Sequence, residues 1–245
     1  MPVGVAPNIH HVGDVDSTME VARAMLVDAK GAPFAVLAES QSKGRGTGGR
    51  VWTSPKGNLY FTLCIPETSI RAEIVPVLPL ITGLACREAI MSIVSGTNFY
   101  VKWPNDIVHS GKKLGGSIVE SEGGYLLVGI GINVEVAPPV TDNGRDPTTV
   151  NYAAETLGQP KITTLQLAEA VWKQYFKIIL DTTASRKAVV ENFEAAMDKS
   201  LILHRRTPTG RDPEPLRAVR LNEWGHLTVL KSDGTEETLV AEYLF

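Results

Sequence analysis

Apolar residues recur along this chain at two spacings, and where one gives way to the other an element begins or ends. Met19, Ala22, Met25 and Leu26 keep to one side of a helical period. They follow Ser17-Thr18-Met19-Glu20, whose S-x-x-E spacing reads as a capping box, so a helix is predicted over about 17–29, ahead of Gly31. PFAVLAE (33–39) and NLYFTLCI (58–65) are short apolar runs suited to buried strands, whereas the apolar stretch 74–94 is long enough to predict a buried helix. VKWP after Phe99 reads as a strand end, and LGGSIVES and YLLVGIGINV as two strands joined by a tight turn at Glu122-Gly123-Gly124.

Residues 137–151 (APPVTDNGRDPTTVN) predict a loop, and 164–180 and 186–198 two amphipathic helices. Beyond them 216–221, 226–231 and 237–244 are short strand candidates separated by Trp224-Gly225 and Ser232-Asp233-Gly234, the pattern of a small β-meander or barrel. A piece of about 45 residues is marginal alone and is expected to dock on the rest. The predicted organisation is a main domain at 1–198 and a small C-terminal domain at 199–245, with mixed elements that leave α/β and α+β open.

Composition narrows the class without adding chemistry. The 245 residues are 43% hydrophobic and 21% charged, as in ordinary globular proteins. The net charge of -3 supplies no overall field for a polyanion, so a nucleic-acid partner is not expected. Cys64 and Cys86 sit in apolar runs and read as small buried hydrophobes in a reducing compartment, so the expected location is cytoplasmic. The longest apolar stretch is interrupted by Arg87 and Glu88, and the opening MPVGVAPNIHH lacks the layout of a secretory signal, so no membrane association is expected. The histidines, His10 and His11 included, show no zinc-ligand spacing.

Candidate chemistry concentrates in three segments. The first, QSKGRGTGGRVWTSPK (41–56), places Lys43, Arg45, Arg50 and Lys56 among glycines without an acid, which suits a mobile loop that closes over a polyphosphate. Gly44, Gly46 and Gly49 satisfy G-x-G-x-x-G, but Thr53-Ser54-Pro55 follows where a helix must start, so this is no dinucleotide fingerprint. Arg50 and Val51 stand where a P-loop needs Lys and Ser or Thr. The second segment is Lys102-Trp103-Pro104-Asn105-Asp106 with Lys113-Leu114-Gly115-Gly116 beyond it, which would bring opposite charges to one cleft mouth. The third is Gly129-Ile130-Gly131-Ile132-Asn133, a strand whose small residues let a flat ring approach the backbone.

Taken in order, G-R-G-x-x-G-x-x-W, K-W-P-N-D, K-L-x-G-x-x-x-E (Lys113 to Glu120) and G-I-G-I-N resemble the signature of the biotin protein ligases. The resemblance covers about residues 14–134 and extends more loosely through the C-terminal piece. It implies an α+β fold: a class II aminoacyl-tRNA synthetase-like catalytic domain with a mixed sheet, and a small SH3-like barrel. It also implies an enzyme that joins biotin to ATP as biotinyl-5'-AMP, with Mg²⁺ on the phosphates, and passes biotin to a lysine of a biotin carboxyl carrier domain.

Carried over residue by residue, the resemblance places Lys113, Arg45 and Asp106 in catalysis, with Asp106 also the metal ligand, the positioner of Lys113 or the nearest base. Ser17, Thr18, Met19, Gln41, Gly44, Arg45, Gly46, Thr47, Lys113 and Gly116 would meet biotin. Arg45, Arg50, Trp52, Lys102, Asn105, Lys113 and Asn133 would meet ATP or the adenylate. The family often carries a second arginine where this chain has Thr47, so adenylate retention should rest on Arg45, Arg50 and Trp52. No room is expected for a helix-turn-helix domain ahead of the pattern, and monomer and homodimer stay open. The alternatives are a lipoate ligase or octanoyltransferase relative, whose glycine motif is ordered differently, and a nucleic-acid-binding module using the R-G-rich loop. The single aromatic in that loop, Trp52, and the negative net charge disfavour the latter.

Overall fold

In the computed structural model the described residues are 5–139, 144–207, 210–240 and 244–245. A chain alternating strand and helix at its start builds one large sheet. β1 (Ile9–Val15), α1 (Thr18–Met25), β2 (Phe34–Gln41) and β3 (Leu59–Pro66) come first. α2 (Leu78–Met91), β4 (Tyr100–Lys102), β5 (Asp106–His109), β6 (Lys112–Glu122) and β7 (Tyr125–Ile132) follow. The order across the seven strands is β1-β2-β3-β7-β6-β5-β4, with β1 parallel to β2 and every other pair antiparallel. The β6–β7 turn is Gly123-Gly124, with φ of 58° and 76°, values at which a side chain would be strained.

Strand alternation divides the sheet into two faces. Leu59, Phe61, Leu63 and Ile65 of β3 and Leu126, Val128, Ile130 and Ile132 of β7 belong to the main core, which α2 covers together with α4 (Thr164–Ile179) and α5 (Arg186–Ala196). The opposite face carries a smaller cluster of Met19, Ala22, Phe34, Val36, Cys64, Tyr125 and Leu127 under α1. Along that face β7 reads Tyr125, Leu127, Gly129, Gly131, so side-chain bulk ends where the helix does. The uncovered stretch becomes a cleft.

Several expectations move. The stretch 74–94 is a 3₁₀ segment, Ala72–Val77, followed by α2, because Pro76 and Pro79 prevent a continuous helix from forming earlier. The twenty residues Ala72–Met91 are long and apolar enough to cross a membrane by composition, and 67% of their most apolar window is buried in the core. The loop expected over 137–151 instead gives way to α3 (Val150–Thr156), capped by Thr149, whose hydroxyl accepts from Tyr152 N at 3.0 Å. Residues 140–143 of that loop lie outside the described residues. The capping box at α1 does not form: Ser17 makes no side-chain cap, and Glu20 turns to Arg23 and Arg45. Cys64 and Cys86 are buried free thiols, each pushed up to about 12 by burial.

After residue 199 the chain forms β8 (Ile202–Leu203), β9 (Arg206–Thr207), β10 (Gly210–Arg211), β11 (Leu216–Leu221), β12 (Leu227–Leu230) and β13 (Glu236–Leu239). Four of them make the expected meander, in the order β13-β12-β11-β8, and β9 with β10 forms a ribbon. The strand expected over 237–244 ends at Leu239, and residues 241–243 lie outside the described residues. Leu203, Leu216, Leu227, Val229, Leu239 and Leu244 join the main core, so the small sheet shares one apolar interior with the large one. Trp103 Nε1 donates to Gly225 O at 2.8 Å and fastens the K-W-P-N-D turn to this sheet.

Candidate active site

The cleft floor is backbone. A Cβ on Gly131 would stand 2.5 Å from Trp52 Nε1, and one on Gly129 2.8 Å from Met19 Sδ. The flat ring that approaches the glycine strand is thus the chain's own indole. Trp52 is brought there by residues 41–54, which fold as a short hairpin. Gln41 N donates to Ser54 O (3.2 Å), Trp52 N to Gly44 O (2.9 Å) and Gly46 N to Arg50 O (2.8 Å), with Gly48 and Gly49 turning the tip. Gly44 packs its backbone against the other arm, where a Cβ would lie 2.4 Å from Trp52 O. It shapes the hairpin and is not among the residues that line the cleft.

One wall is a chain of neutral hydrogen bonds. Thr62 donates to Thr18 Oγ1 (2.8 Å), Thr18 N and Oγ1 donate to Gln41 Oε1 (2.9 and 3.1 Å), and Gln41 Nε2 donates to Ser54 Oγ (3.0 Å). Gln41 thereby satisfies the Thr18 amide, one of the free donors of the first turn of α1. Ser17, Thr18, Met19 and Asn133 are all buried and all face the cleft.

The opposite wall carries charge. Asp106 opens β5 and pairs in register with Gly116 of β6. Gly116 and Lys113 are an odd number of residues apart, so a regular strand would send them to opposite faces. The register slips between Ile107 and Val108, leaving Leu114 as an extra residue buried in the core, and this bulge turns Lys113 into the cleft beside Asp106. Lys113 Nζ lies 2.7 Å from Asp106 Oδ1 and 5.5 Å from the centre of the Trp52 ring. Asn105, half-way along the turn, donates through Nδ2 to Ser117 O.

Two expected residues do other work. Lys102 is 3% exposed and faces inward, donating to Asp106 Oδ2 (2.9 Å) and Leu244 O (2.7 Å), away from the cleft lining. Asp106, expected as a metal ligand, has one ammonium on each oxygen. No group of three His, Cys, Asp or Glu able to hold an ion occurs among the described residues. The donor set does not fit a protein-bound Mg²⁺, because a dication would have to displace two cations from a single carboxylate. Burial pushes the Asp106 carboxyl up, but the Lys102 and Lys113 charges outweigh it and hold the group well below the usual carboxylate range. Burial lowers Lys102, which Asp106 partly offsets.

The four cations of 41–56 also divide. Lys43 pairs with Asp16 (2.9 Å) and Lys56 with Asp14 (3.1 Å) and Glu39 (2.9 Å), on the outer side. Arg45 and Arg50 line the cleft with Gly46, Thr47 and Trp52. Arg45 reaches Glu20 (3.0 Å) and Glu120 (3.6 Å), acids shared with Arg23, while Arg50 donates through Nε to Thr47 O (2.8 Å) and through its fork to the Thr47 hydroxyl. Thus fourteen of the sixteen expected residues converge, all but Gly44 and Lys102. Sequence reasoning missed Arg145, Pro138 and Pro147, which line the far rim. Lys113 N donates to Asp146 O (2.8 Å) and Thr148 N to Lys113 O (2.9 Å), which lays this segment along the edge of β6. A lone arginine in a Pro- and Gly-rich stretch was the available signal.

The site is thus a glycine-floored cleft with a neutral polar wall, a fixed ammonium and a cationic hairpin. A family profile described as biotin/lipoate A/B protein ligase family matches residues 13–136. The chain belongs to that family, and within it to the biotin protein ligases. It is 49% identical to the biotin protein ligase of Leishmania major in complex with biotin, over 97% of this chain and 100% of that one, with a TM-score of 0.80. The same protein in complex with biotinyl-5-AMP gives 48% identity over 97% and 100% of the chains and a TM-score of 0.79. The human biotin--protein ligase is 40% identical over 113 residues, which are 42% of this chain and only 16% of the human one.

Proposed function

We propose that this chain is an ATP-dependent biotin ligase that forms biotinyl-5'-AMP and passes biotin to the lysine of a biotin carboxyl carrier domain. The observation that carries the reading is the Lys113–Asp106 contact of 2.7 Å beside the neutral Ser17–Thr18–Gln41 wall. That wall offers hydroxyl and amide partners to an uncharged ureido ring, with Gly116 leaving room for it, and Met19 offers an apolar contact to the thiophene ring. Lys113 meets the carboxylate. Two anions must approach for the reaction to begin, and a cation fixed beforehand supplies stabilisation that water would otherwise provide by reorganising.

In the first step a biotin carboxylate oxygen attacks the α-phosphorus of ATP, the new P–O bond forms, and the bond to pyrophosphate breaks with its electrons. Arg45 and Arg50 lie on the hairpin side, suited to the phosphate oxygens, with Trp52 and Asn133 toward the nucleoside and Asn105 holding the turn through Ser117 O. Magnesium enters with ATP as part of the substrate. In the second step the unprotonated acceptor amine adds to the carbonyl of the mixed anhydride, the C–N bond forms as the C–O bond to AMP breaks, and the amine's proton passes to the departing phosphate or to water. Asp106, held so far below its usual range, is a weak proton acceptor, and its proposed role is to aim Lys113.

We further assign residues 1–198 to the catalytic domain, class II synthetase-like in fold, and 199–245 to an SH3-like domain. The buried free thiols Cys64 and Cys86 support a reducing, cytoplasmic location. Purified protein incubated with labelled biotin, ATP and a carrier domain tests the reading: label on the carrier that requires ATP supports it, and label absent at all carrier concentrations refutes it.

A further inference from the structure

Lys102 is the one ionic group of the K-W-P-N-D turn that the chemistry above leaves without a task. Its ammonium is almost wholly buried, and its contacts include Asp106 Oδ2 at 2.9 Å and Leu244 O at 2.7 Å. The other Asp106 oxygen holds Lys113 Nζ at 2.7 Å. Leu244 is itself fully buried in the core shared by the two sheets.

Charge explains why such a residue is needed. Asp106 and Lys113 alone would form a neutral pair, and an ammonium matched one-to-one by a carboxylate has little attraction left for a second anion. With Lys102 the three groups sum to one positive charge, and Lys113 is the cation of the three that lines the cleft, beside Asp106. Lys102 also occupies the Asp106 oxygen that would otherwise compete for Lys113. Burying an ammonium for packing alone is costly, and an apolar side chain would fill the same volume without that cost.

We propose that Lys102 is a positioning residue, a buried cation that neutralises Asp106 from behind and so leaves Lys113 oriented and net-positive toward the biotin carboxylate. The inference rests on the reading of Lys113 given above. It predicts that loss of Lys102 impairs adenylate formation more than biotin binding, because the neutral wall of the cleft is untouched.

Lys102→Met, Lys113→Ala and the double variant Lys102→Met/Asp106→Asn test this, with biotin-dependent pyrophosphate exchange for kcat and KM and calorimetry for the number of biotin sites per chain. Lys102→Met is expected to bind one biotin per chain with affinity within about threefold of wild type, and to lose tenfold or more in kcat per site. The double variant, which removes the unpaired carboxylate should the single one fail to fold, is expected to bind biotin equally well. Its kcat should remain at least tenfold down, since nothing then aims Lys113. Wild-type kcat per biotin site in Lys102→Met or in the double variant overturns the proposal, as does a loss that only tracks a fall in biotin stoichiometry. Full activity in Lys113→Ala would instead overturn the reading of Lys113, which keeps the two failures apart.

Discussion

The indole of Trp52 rests on the backbone of Gly131, so closely that a single methyl group at 131 would stand 2.5 Å from its Nε1. Gly131→Ala is therefore expected to push the hairpin off the cleft while leaving the main core, on the other face of the sheet, intact. The KM for ATP should rise tenfold or more, about 1.4 kcal/mol in binding, with a shift in tryptophan emission and an unchanged far-ultraviolet circular dichroism spectrum. Unchanged ATP kinetics would show that the contact is incidental.

Arg45 is shared between Glu20 and Glu120 at the cleft edge, and phosphate must compete with these partially exposed acids. A pair of this kind is worth about 0.2–1 kcal/mol. Glu20→Gln should lower the KM for ATP by up to about fivefold at low salt, an effect that fades as ionic strength rises. Stability should change by less than about 0.5 kcal/mol. A higher KM would mean that Glu20 aims Arg45 instead of restraining it.

Thr47 accepts from Arg50 through both its hydroxyl and its carbonyl, at the tip of the hairpin. Adenylate retention is expected to rest on Arg45, Arg50 and Trp52. Thr47→Arg adds a cation at the tip and is expected to slow release of the intermediate, measured by trapping with hydroxylamine. Unchanged release would place the tip outside the phosphate's reach.

Asp106 is held well below the usual carboxylate range by its two lysines, so its charge stabilises the fold fully above the unfolded value of about 3.9. That contribution is lost as pH falls below about 4 toward the folded value. Asp106→Asn leaves Lys102 and Lys113 facing each other and should cost about 3–5 kcal/mol near neutral pH. Denaturant titrations should show the gap between variant and wild type narrowing only in acid, and a gap that narrows between pH 6 and 8 would contradict the assignment.

Local signals made much of this legible. Period and turn chemistry placed the strands of the large sheet except β1 and β5; spacing brought Lys113 and Asp106 to one cleft mouth, and the family resemblance added Arg45 and Trp52. Long-range pairing was hidden. Lys43 and Lys56 looked like part of one cationic patch, yet acids on β1 and β2 and at Asp16 draw them outward. The bulge at Leu114 that aims Lys113 depends on the pairing of β6 with β5, which no run of residues announces. Lys102 and Asp106 are four residues apart in an ordinary-looking turn, and only the seat of Leu244 behind them shows which way the lysine faces. The small sheet was visible as a meander, but Ile202–Leu203 is too short to give a pattern.

Biotin-dependent exchange of labelled pyrophosphate into ATP, run with wild type and Lys113→Ala, tests most directly whether a fixed ammonium joins the two acids. The expected result is exchange in the wild type that vanishes without biotin and falls at least a hundredfold in Lys113→Ala, about 2.7 kcal/mol of transition-state stabilisation. Equal exchange in the two proteins would contradict it.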